Sequence, residues 1–122
     1  RQFITRENVN KDILTRFENL LNDYFYSEKP ESSGLPTVKY CADQMHLSAN
    51  YFGDLIKKET GSSFVDLLTK KRIETARELV LGSSMKMREI AERCGYSDQH
   101  YFSYCFKKYC GVSPNAMRQE KE

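Results

Sequence analysis

Two stretches of the chain carry amide, imidazole and ammonium side chains at related positions. Asn50 is followed by a lysine pair at 57–58, and Gln99 and His100 are followed by a lysine pair at 107–108. Amide side chains can make paired hydrogen bonds to adenine in the major groove of DNA, and lysine binds phosphate as a point charge. These residue types suit contact with base edges and with the backbone of a duplex.

The sequence contains no arrangement typical of a catalytic centre. It has no glycine-rich phosphate loop, no HExxH pair and no nucleophile elbow. The carboxylates Glu89 and Glu92 have the spacing of an ordinary amphipathic helix. We therefore expect no enzyme, no catalytic residue and no cofactor.

The four cysteines and two histidines lack the spacing of metal ligands. Cys41, Cys94 and Cys105 fall where the helical pattern calls for an apolar side chain, and no CxxC pair occurs. Reduced core thiols are the favoured interpretation over a metal site or a disulfide. Reduced thiols in turn favour a cytoplasmic location.

Composition points to a soluble globular protein. Of the 122 residues, 30% are charged and 39% are apolar, and the net charge is only +2. A strongly basic arm is absent, so any contact with nucleic acid must depend on where individual charges lie. No apolar run approaches the roughly 20 residues of a membrane span, and no secretory signal is visible. The chain begins at Arg1 without an initiator methionine, so we expect a fragment of a longer protein.

The two polar stretches belong to a repeat of about fifty residues. HLSANYFGDLIKKETGSSF begins at His46, and GYSDQHYFSYCFKKYCGVSP begins at Gly95. Ala and Ser recur at an offset of 49, and Tyr-Phe, Lys-Lys, Gly and Ser at an offset of 50, so the second copy has one extra residue near 98–100. Each copy has the pattern of a short helix, a tight turn and a second helix, which is a helix-turn-helix.

Helical periodicity covers nearly the whole chain and predicts an all-α fold of about seven helices. They are expected at about 9–26, 38–45, 49–59, 64–81, 87–94, 98–109 and 114–119, with SEKPESSGLP as a break after the first. The predicted organisation is an N-terminal helix and linker at 1–34, a first helix-turn-helix unit at 35–62, a linker helix at 63–82, and a second unit with a C-terminal helix at 83–122.

The second helix of each unit is predicted to have one apolar inner face and one polar outer face. The inner faces comprise Tyr51, Phe52, Leu55 and Ile56 in the first unit, and Tyr101, Phe102, Cys105 and Phe106 in the second. A linker helix of about 18–20 residues is roughly 27–30 Å long, close to the 34–36 Å between successive major-groove faces of B-DNA. The repeat therefore predicts two reading heads in adjacent grooves.

The motifs of the second copy resemble one family closely. Ile90-Ala91, Gly95-Tyr96-Ser97-Asp98, Tyr101-Phe102, Phe106-Lys107-Lys108 and Gly111-x-Ser113-Pro114 are similar in order and spacing to the DNA-binding domain of AraC/XylS-type bacterial transcription regulators. The first copy and the joining LLTKKRIETARELV match as well, so that the resemblance covers about 35–118. It implies two helix-turn-helix units that bind promoter DNA, contact with RNA polymerase, and an activator. Residues 1–34 are similar to the helix that joins such a domain to a sensor domain on the same chain, through which a homodimer is possible.

The resemblance and the repeat together select the candidate contact residues. Base reading is expected from Asn50, Asp54, Gln99, His100, Ser103 and Tyr104, while Gly53 in the same set has no side chain with which to read a base. Phosphate contact is expected from Lys39, Ser48, Tyr51, Lys57, Lys58, Arg88, Ser97, Lys107 and Lys108. The alternative for the charged and amide residues is a solvated helix surface. For Lys70, Lys71 and Arg72, a solvated face or packing through the alkyl stems is favoured over DNA contact.

A second hypothesis belongs to another class of protein. The apolar face of residues 9–26 could pack on a sensor domain, on a second copy or on polymerase. The chain would then be a helical interaction module with weak affinity for DNA, which the low net charge allows.

Overall fold

The computed structural model describes residues 6–27 and 29–121, apart from the side chains of residues 6, 7, 31 and 121. Within this part the regular secondary structure is all α-helix, as predicted. Its helices are α1 (Arg6–Phe25), α2 (Lys29–Ser32), α3 (Val38–Gln44), α4 (Ala49–Thr60), α5 (Phe64–Gly82), α6 (Met87–Arg93), α7 (Gln99–Cys110) and α8 (Pro114–Lys121). Residues 1–5 and 28 of the predicted N-terminal segment and residue 122 of the last one lie outside the described residues.

Side-chain caps set the ends of several helices. Thr37, Ser48 and Ser63 each accept a hydrogen bond from a backbone N–H in the first turn of the helix that follows. Gly61 and Gly111 end α4 and α7 in the left-handed conformation, with φ of 77° and 83°. The predicted positions of these ends are confirmed to within one or two residues because the capping chemistry is legible in the sequence.

The segment predicted as a break contains one short helix. α2 raises the count in the described part to eight, against about seven expected. Pro30 is its second residue, where the fixed φ of proline suits a helical turn and the missing N–H needs no partner. The ring is buried, so the turn is held by packing that the local sequence does not reveal.

The first hydrophobic core contains residues from α1 as well as from the first helix-turn-helix unit. The buried members are Ile13, Phe17, Leu21, Phe25, Cys41, Ala42, Met45, Phe52, Leu55, Ile56 and Leu68. The ring of Phe17 lies edge-on to Phe52, with 5.2 Å between centroids, and 5.8 Å from Phe64. The apolar face of α1 is therefore covered by the same chain.

The second core belongs to the second unit and to the C-terminal half of α5. It comprises Ile73, Ala76, Val80, Met87, Ile90, Ala91, Cys94, Tyr96, Phe102, Cys105 and Phe106. Because Leu68 lies in the first core and Ile73 in the second, α5 runs continuously from one unit to the other. Its 19 residues correspond to about 28 Å.

Arg118 fastens α8 to the far end of α5. Its guanidinium donates hydrogen bonds to backbone carbonyls of Leu79, Val80, Ser83 and Met85, at 2.6–3.4 Å. Two of these carbonyls, those of Leu79 and Val80, lie in the last turns of the helix, and the Leu79 carbonyl also accepts from the Ser83 N–H at 3.1 Å. The C-terminal helix thus stabilises the end of the linker helix on which the second unit is built.

Candidate nucleic-acid interface

The two units have the same local architecture. α3 packs on α4, and α6 packs on α7. Ala42 and Ala91 are fully buried, and their small side chains let the paired helices approach closely. The turns use a left-handed residue at the same place in the repeat, His46 with φ of 59° and Gly95 with φ of 83°.

The inner faces of α4 and α7 are confirmed only in part. Phe52 and Phe102 are fully buried, but Tyr51 is 44% exposed and Tyr101 is 57% exposed. The prediction that these tyrosines belong to the inner face was wrong. Each precedes its phenylalanine by one residue, about 100° around the helix, and so lies at the partly exposed edge of the buried stripe. The Tyr51 side chain is accessible, as its predicted phosphate contact requires.

Five of the six predicted base-reading side chains are exposed on the outer surface. Asn50 and Asp54 are exposed on α4, and Gln99 and His100 are exposed in the first turn of α7. Tyr104 is 64% exposed. Ser103, one residue before it, is partly covered.

A pair of tyrosines extends the outer surface of α7. The rings of Tyr101 and Tyr104 stack with 6.4 Å between centroids and 20° between planes. A hydrogen bond with the Cys105 thiol is the main cause that raises the pKa of Tyr101 above its ordinary value. The second unit therefore presents a flat aromatic edge beside its amide and imidazole groups, which α4 does not repeat.

The predicted phosphate-binding cations are exposed at two places in each unit. Lys57, Lys58, Lys107 and Lys108 lie in the last turns of α4 and α7. Lys57 Nζ donates to the Gly61 carbonyl at 3.3 Å.

Lys39 and Arg88 occupy the first turns of α3 and α6, with side chains about 80% exposed. Lys39 pairs with Asp43 at 3.0 Å, and Arg88 approaches Glu92 at 3.9 Å. Exposed pairs of this kind contribute about 0–1 kcal/mol and exchange easily for a phosphate.

The N-terminal caps of α4 and α7 differ in charge. Ser48 caps α4, where its Oγ accepts from the Tyr51 N–H at 3.1 Å. In the second unit the extra residue moves the cap to Asp98, whose Oδ1 accepts from the His100 N–H at 3.0 Å. Ser97, the counterpart of Ser48, is exposed one residue before this cap. Its hydroxyl can therefore contact a phosphate oxygen of a duplex.

Arg72 has a structural role that the sequence did not reveal. From the middle of α5 it donates to the carbonyls of Cys94 and Gly95, at 2.9 and 3.0 Å, and its guanidinium stacks 3.6 Å above the ring of Tyr96. Burial lowers the pKa of Arg72, and Tyr96 opposes this shift. Arg72 packs within the protein, but through its guanidinium rather than through the alkyl stem that the sequence suggested. Its three partners could not be foreseen from the linker sequence alone.

The described residues include no group of three or more His, Cys, Asp and Glu side chains that could hold a metal ion. All four cysteines are free thiols, and burial raises the pKa of Cys41 to about 11 and that of Cys94 to about 12. In the part of the chain that the structure covers, no helix has the length and apolar character needed to cross a membrane.

Comparison with known proteins gives concordant matches. A family model described as a helix-turn-helix domain matches residues 41–120. The "Uncharacterized transcriptional regulatory protein YesN" of Bacillus subtilis (strain 168) is 35% identical over 88 residues, which is 70% of this chain and 24% of that protein. The C-terminal domain of AraT, a response regulator from Geobacillus stearothermophilus, is 42% identical with a TM-score of 0.74, covering 88% of this chain and 84% of that one.

A second solved structure shares the fold at lower identity. The DNA-binding domain of AdpA, solved in complex with a target DNA, is 22% identical with a TM-score of 0.70, covering 91% of this chain and 90% of that one. Two helix-turn-helix units on one continuous helix define a class of DNA-binding domain, and this chain belongs to the AraC-type helix-turn-helix family of transcription regulators. The chain spans about a quarter of the length of YesN.

Proposed function

We propose that this chain binds duplex DNA sequence-specifically as the DNA-binding domain of a bacterial transcription regulator, with α4 and α7 in successive major grooves. The observation that carries the proposal is the pair of outward polar helix faces joined by one continuous α5. Its length of about 28 Å is close to the separation of adjacent grooves on one side of B-DNA. The AdpA domain, which has the same fold, was solved in complex with its target DNA.

Base reading is assigned to the exposed residues of α4 and α7. Asn50 and Gln99 have the amide geometry for paired hydrogen bonds to adenine, and Asp54 can accept from the amino group of cytosine. His100, Ser103 and Tyr104 supply further hydrogen-bonding groups on α7. Gly53 gives α4 no side chain at the centre of its outer face, so we assign the larger share of base discrimination to the second unit.

Backbone contact is assigned to the exposed cations and hydroxyls around these helices. The cations are Lys39, Lys57, Lys58, Arg88, Lys107 and Lys108, and the hydroxyls are Ser48, Tyr51 and Ser97. Such contacts fix the register of a protein on the duplex without distinguishing sequences. These cations recur at equivalent places in both units, in the first turns of α3 and α6 and in the last turns of α4 and α7. This recurrence supports contact with the DNA backbone at two places in each unit.

We also propose a regulatory setting, which the family and the relatives support. The matched proteins are transcription regulators of greater length, so we infer a cytoplasmic regulator that carries a sensor or signal-receiving domain on the same chain and forms a homodimer through it. Activation through contact with RNA polymerase is the mode we propose. The alternative of an interaction module is weaker than it was from the sequence, because the apolar face of α1 is buried in the first core.

Selection of duplexes from a random pool, followed by footprinting of the enriched site, tests the proposal. We expect two protected segments about one helical turn apart on the same side of the duplex. Enrichment of one short segment alone would contradict reading by both helices. Absence of any enrichment would contradict sequence-specific binding.

A further inference from the structure

Arg72 joins the linker helix to the turn of the second unit by three contacts. Its Nε donates to the Cys94 carbonyl, its Nη2 donates to the Gly95 carbonyl, and its guanidinium covers the Tyr96 ring. These three partners are consecutive and form the turn between α6 and α7. A planar guanidinium with two donors and one stacking face fixes the turn in direction as well as in distance.

Leu35 lies against the same turn, at Gly95. It packs against the first core, yet a Cβ added at Gly95 would lie 2.5 Å from its Cδ2. No other glycine of the described chain would bring an added Cβ within 4 Å of a neighbour. Leu35 is therefore a direct contact between the core of the first unit and the turn of the second.

The repeat provides an internal comparison for Gly95. The equivalent turn of the first unit has His46, which adopts φ of 59° although it has a Cβ. Left-handed backbone alone thus does not require glycine at this position of the turn. What distinguishes Gly95 is the approach of Leu35, and glycine leaves the space that this approach needs.

The segment that carries Leu35 is itself held at several points. The Tyr24 hydroxyl donates to the Gly34 carbonyl, and Lys29 Nζ lies 5.8 and 5.9 Å from the ring centroids of Tyr24 and Tyr40. α2 packs against α1 on one side and against α6 on the other. Residues 29–36 therefore form a strap between the two units, in addition to the connection through α5.

We propose that Arg72 and Leu35 are positioning residues that fix the second recognition helix relative to the first, and so set the spacing of half-sites that the domain accepts. The inference rests on the proposed DNA binding, and neither residue is assigned a contact with DNA. Two helices fastened at one fixed angle bind two half-sites together only when the spacing matches. Removing the contacts of Arg72 or Leu35 lets the two helices change their relative orientation. The domain then accepts a wider range of spacings, while each helix reads its own half-site as before.

The test uses the selected two-half-site duplex and versions with one or two base pairs inserted or removed between the half-sites. Each inserted pair rotates one half-site by about a tenth of a turn relative to the other. The unaltered protein should gain about 100-fold in affinity from the second half-site at the native spacing, and lose most of that gain when two pairs are inserted. Binding of this protein to single half-sites supplies the reference.

Arg72→Met and Leu35→Ala are the variants to compare. Arg72→Met keeps the length of the stem and removes both donors. Leu35→Ala is matched by Leu20→Ala, which truncates another partly buried leucine of the same core away from the junction. We expect both junction variants to bind single half-sites with the affinity of the unaltered protein. The affinity that they gain from the second half-site should be smaller and should depend less on the spacing. Leu20→Ala should keep the native spacing profile.

The outcomes separate this inference from the function on which it rests. If the unaltered protein gains nothing from a second half-site, reading by two helices is wrong, whatever the variants do. If the unaltered protein discriminates among spacings and both junction variants keep its profile, the positioning role is wrong and DNA binding stands.

A comparison of Gly95→Ala with Gly111→Ala is a second test should Arg72→Met fail to fold. Both glycines have φ of 83°, and only Gly95 faces Leu35. A spacing profile altered by Gly95→Ala alone supports the positioning role, and profiles altered equally by both overturn it.

Discussion

The outer side chains of α7 are richer in hydrogen-bonding groups than those of α4. Gln99, His100 and Tyr104 are exposed together, whereas Asn50 and Asp54 flank a glycine on α4. A base contact through an amide or imidazole distinguishes one base pair from another, and each good contact contributes about 1–3 kcal/mol of discrimination.

Replacing Gln99 and His100 with alanine should therefore weaken binding to the selected site by about 1–3 kcal/mol for each base that these side chains read. Affinity for a random duplex should change much less, because the phosphate-binding side chains stay in place. Fluorescence anisotropy with both duplexes measures the difference. Gln119→Ala, an exposed amide on α8, is the matched control. Equal losses on both duplexes, or no loss on the selected one, would count against base reading by α7.

The lysine pairs should behave in the opposite way. Replacing Lys107 and Lys108 with glutamine should weaken binding to selected and random duplexes alike, and should reduce the slope of log affinity against log salt by about 1 for each phosphate that these lysines bind. The same changes at Lys57 and Lys58 test the first unit separately. An unchanged slope in both variants would indicate that these helix ends are only solvated.

The outward positions on α4 and α7 could be predicted because the repeat shows which positions are equivalent. The buried pair Phe52 and Phe102 was predicted for the same reason. Tyr51 and Tyr101 were misplaced because the edge of a buried stripe depends on the helix packed above it, which periodicity alone does not define. Arg72 could not be assigned because its partners lie more than twenty residues away.

Among the helices, α1 is part of the first hydrophobic core and so contributes to the free energy of unfolding. A helix that only connected two domains would not. Phe17 is buried to 2% exposure between Phe52 and Phe64. Truncation of a core phenylalanine removes apolar packing and leaves a cavity, which together cost about 3–5 kcal/mol.

Phe17→Ala should accordingly lower the free energy of unfolding by about 3–5 kcal/mol, measured by urea denaturation followed by circular dichroism. Val9→Ala is the control, since Val9 lies on the same helix and is exposed. A loss of less than about 1 kcal/mol from Phe17→Ala would mean that α1 adds little to the first core.

Helix boundaries were predictable where a cap or a left-handed glycine marks them, as at Ser63 and Gly61. α2 was not, because four residues hold no periodic signal and their helical turn depends on packing against α1 and α6. The destination of the apolar face of α1 was left open for a related reason. An amphipathic pattern indicates that a face is covered, and not which element covers it.

Across the whole molecule, buried thiols and a buried phenol make the free energy of unfolding sensitive to alkaline pH. Burial raises the pKa of Cys41 to about 11 and of Cys94 to about 12, from an ordinary value of 9.0. Burial likewise raises the pKa of Tyr96. A group whose pKa is higher in the folded protein holds its proton there, so its contribution to stability is complete below the unfolded value and is lost as pH rises above it.

The free energy of unfolding should therefore decrease between about pH 9 and pH 11, where unfolded thiols ionise and buried ones do not. Urea denaturation at pH 8 and at pH 10.5 measures the change. The double variant Cys41→Ala and Cys94→Ala should lose less stability over the same range, although it starts lower. An equal loss in the variant would assign the effect to other groups.

The central claim is that one chain reads two adjacent grooves of a duplex. The most direct measurement is fluorescence anisotropy over a salt series, with the selected two-half-site duplex, the same duplex with one half-site scrambled, and a random duplex. We predict that the intact site binds more tightly than either half-site alone, and that affinity falls about 10³-fold or more between 50 and 200 mM salt, as six or more phosphate contacts require. Equal affinity for the intact and the half-scrambled duplex, with a shallow salt dependence, would contradict the two-groove account.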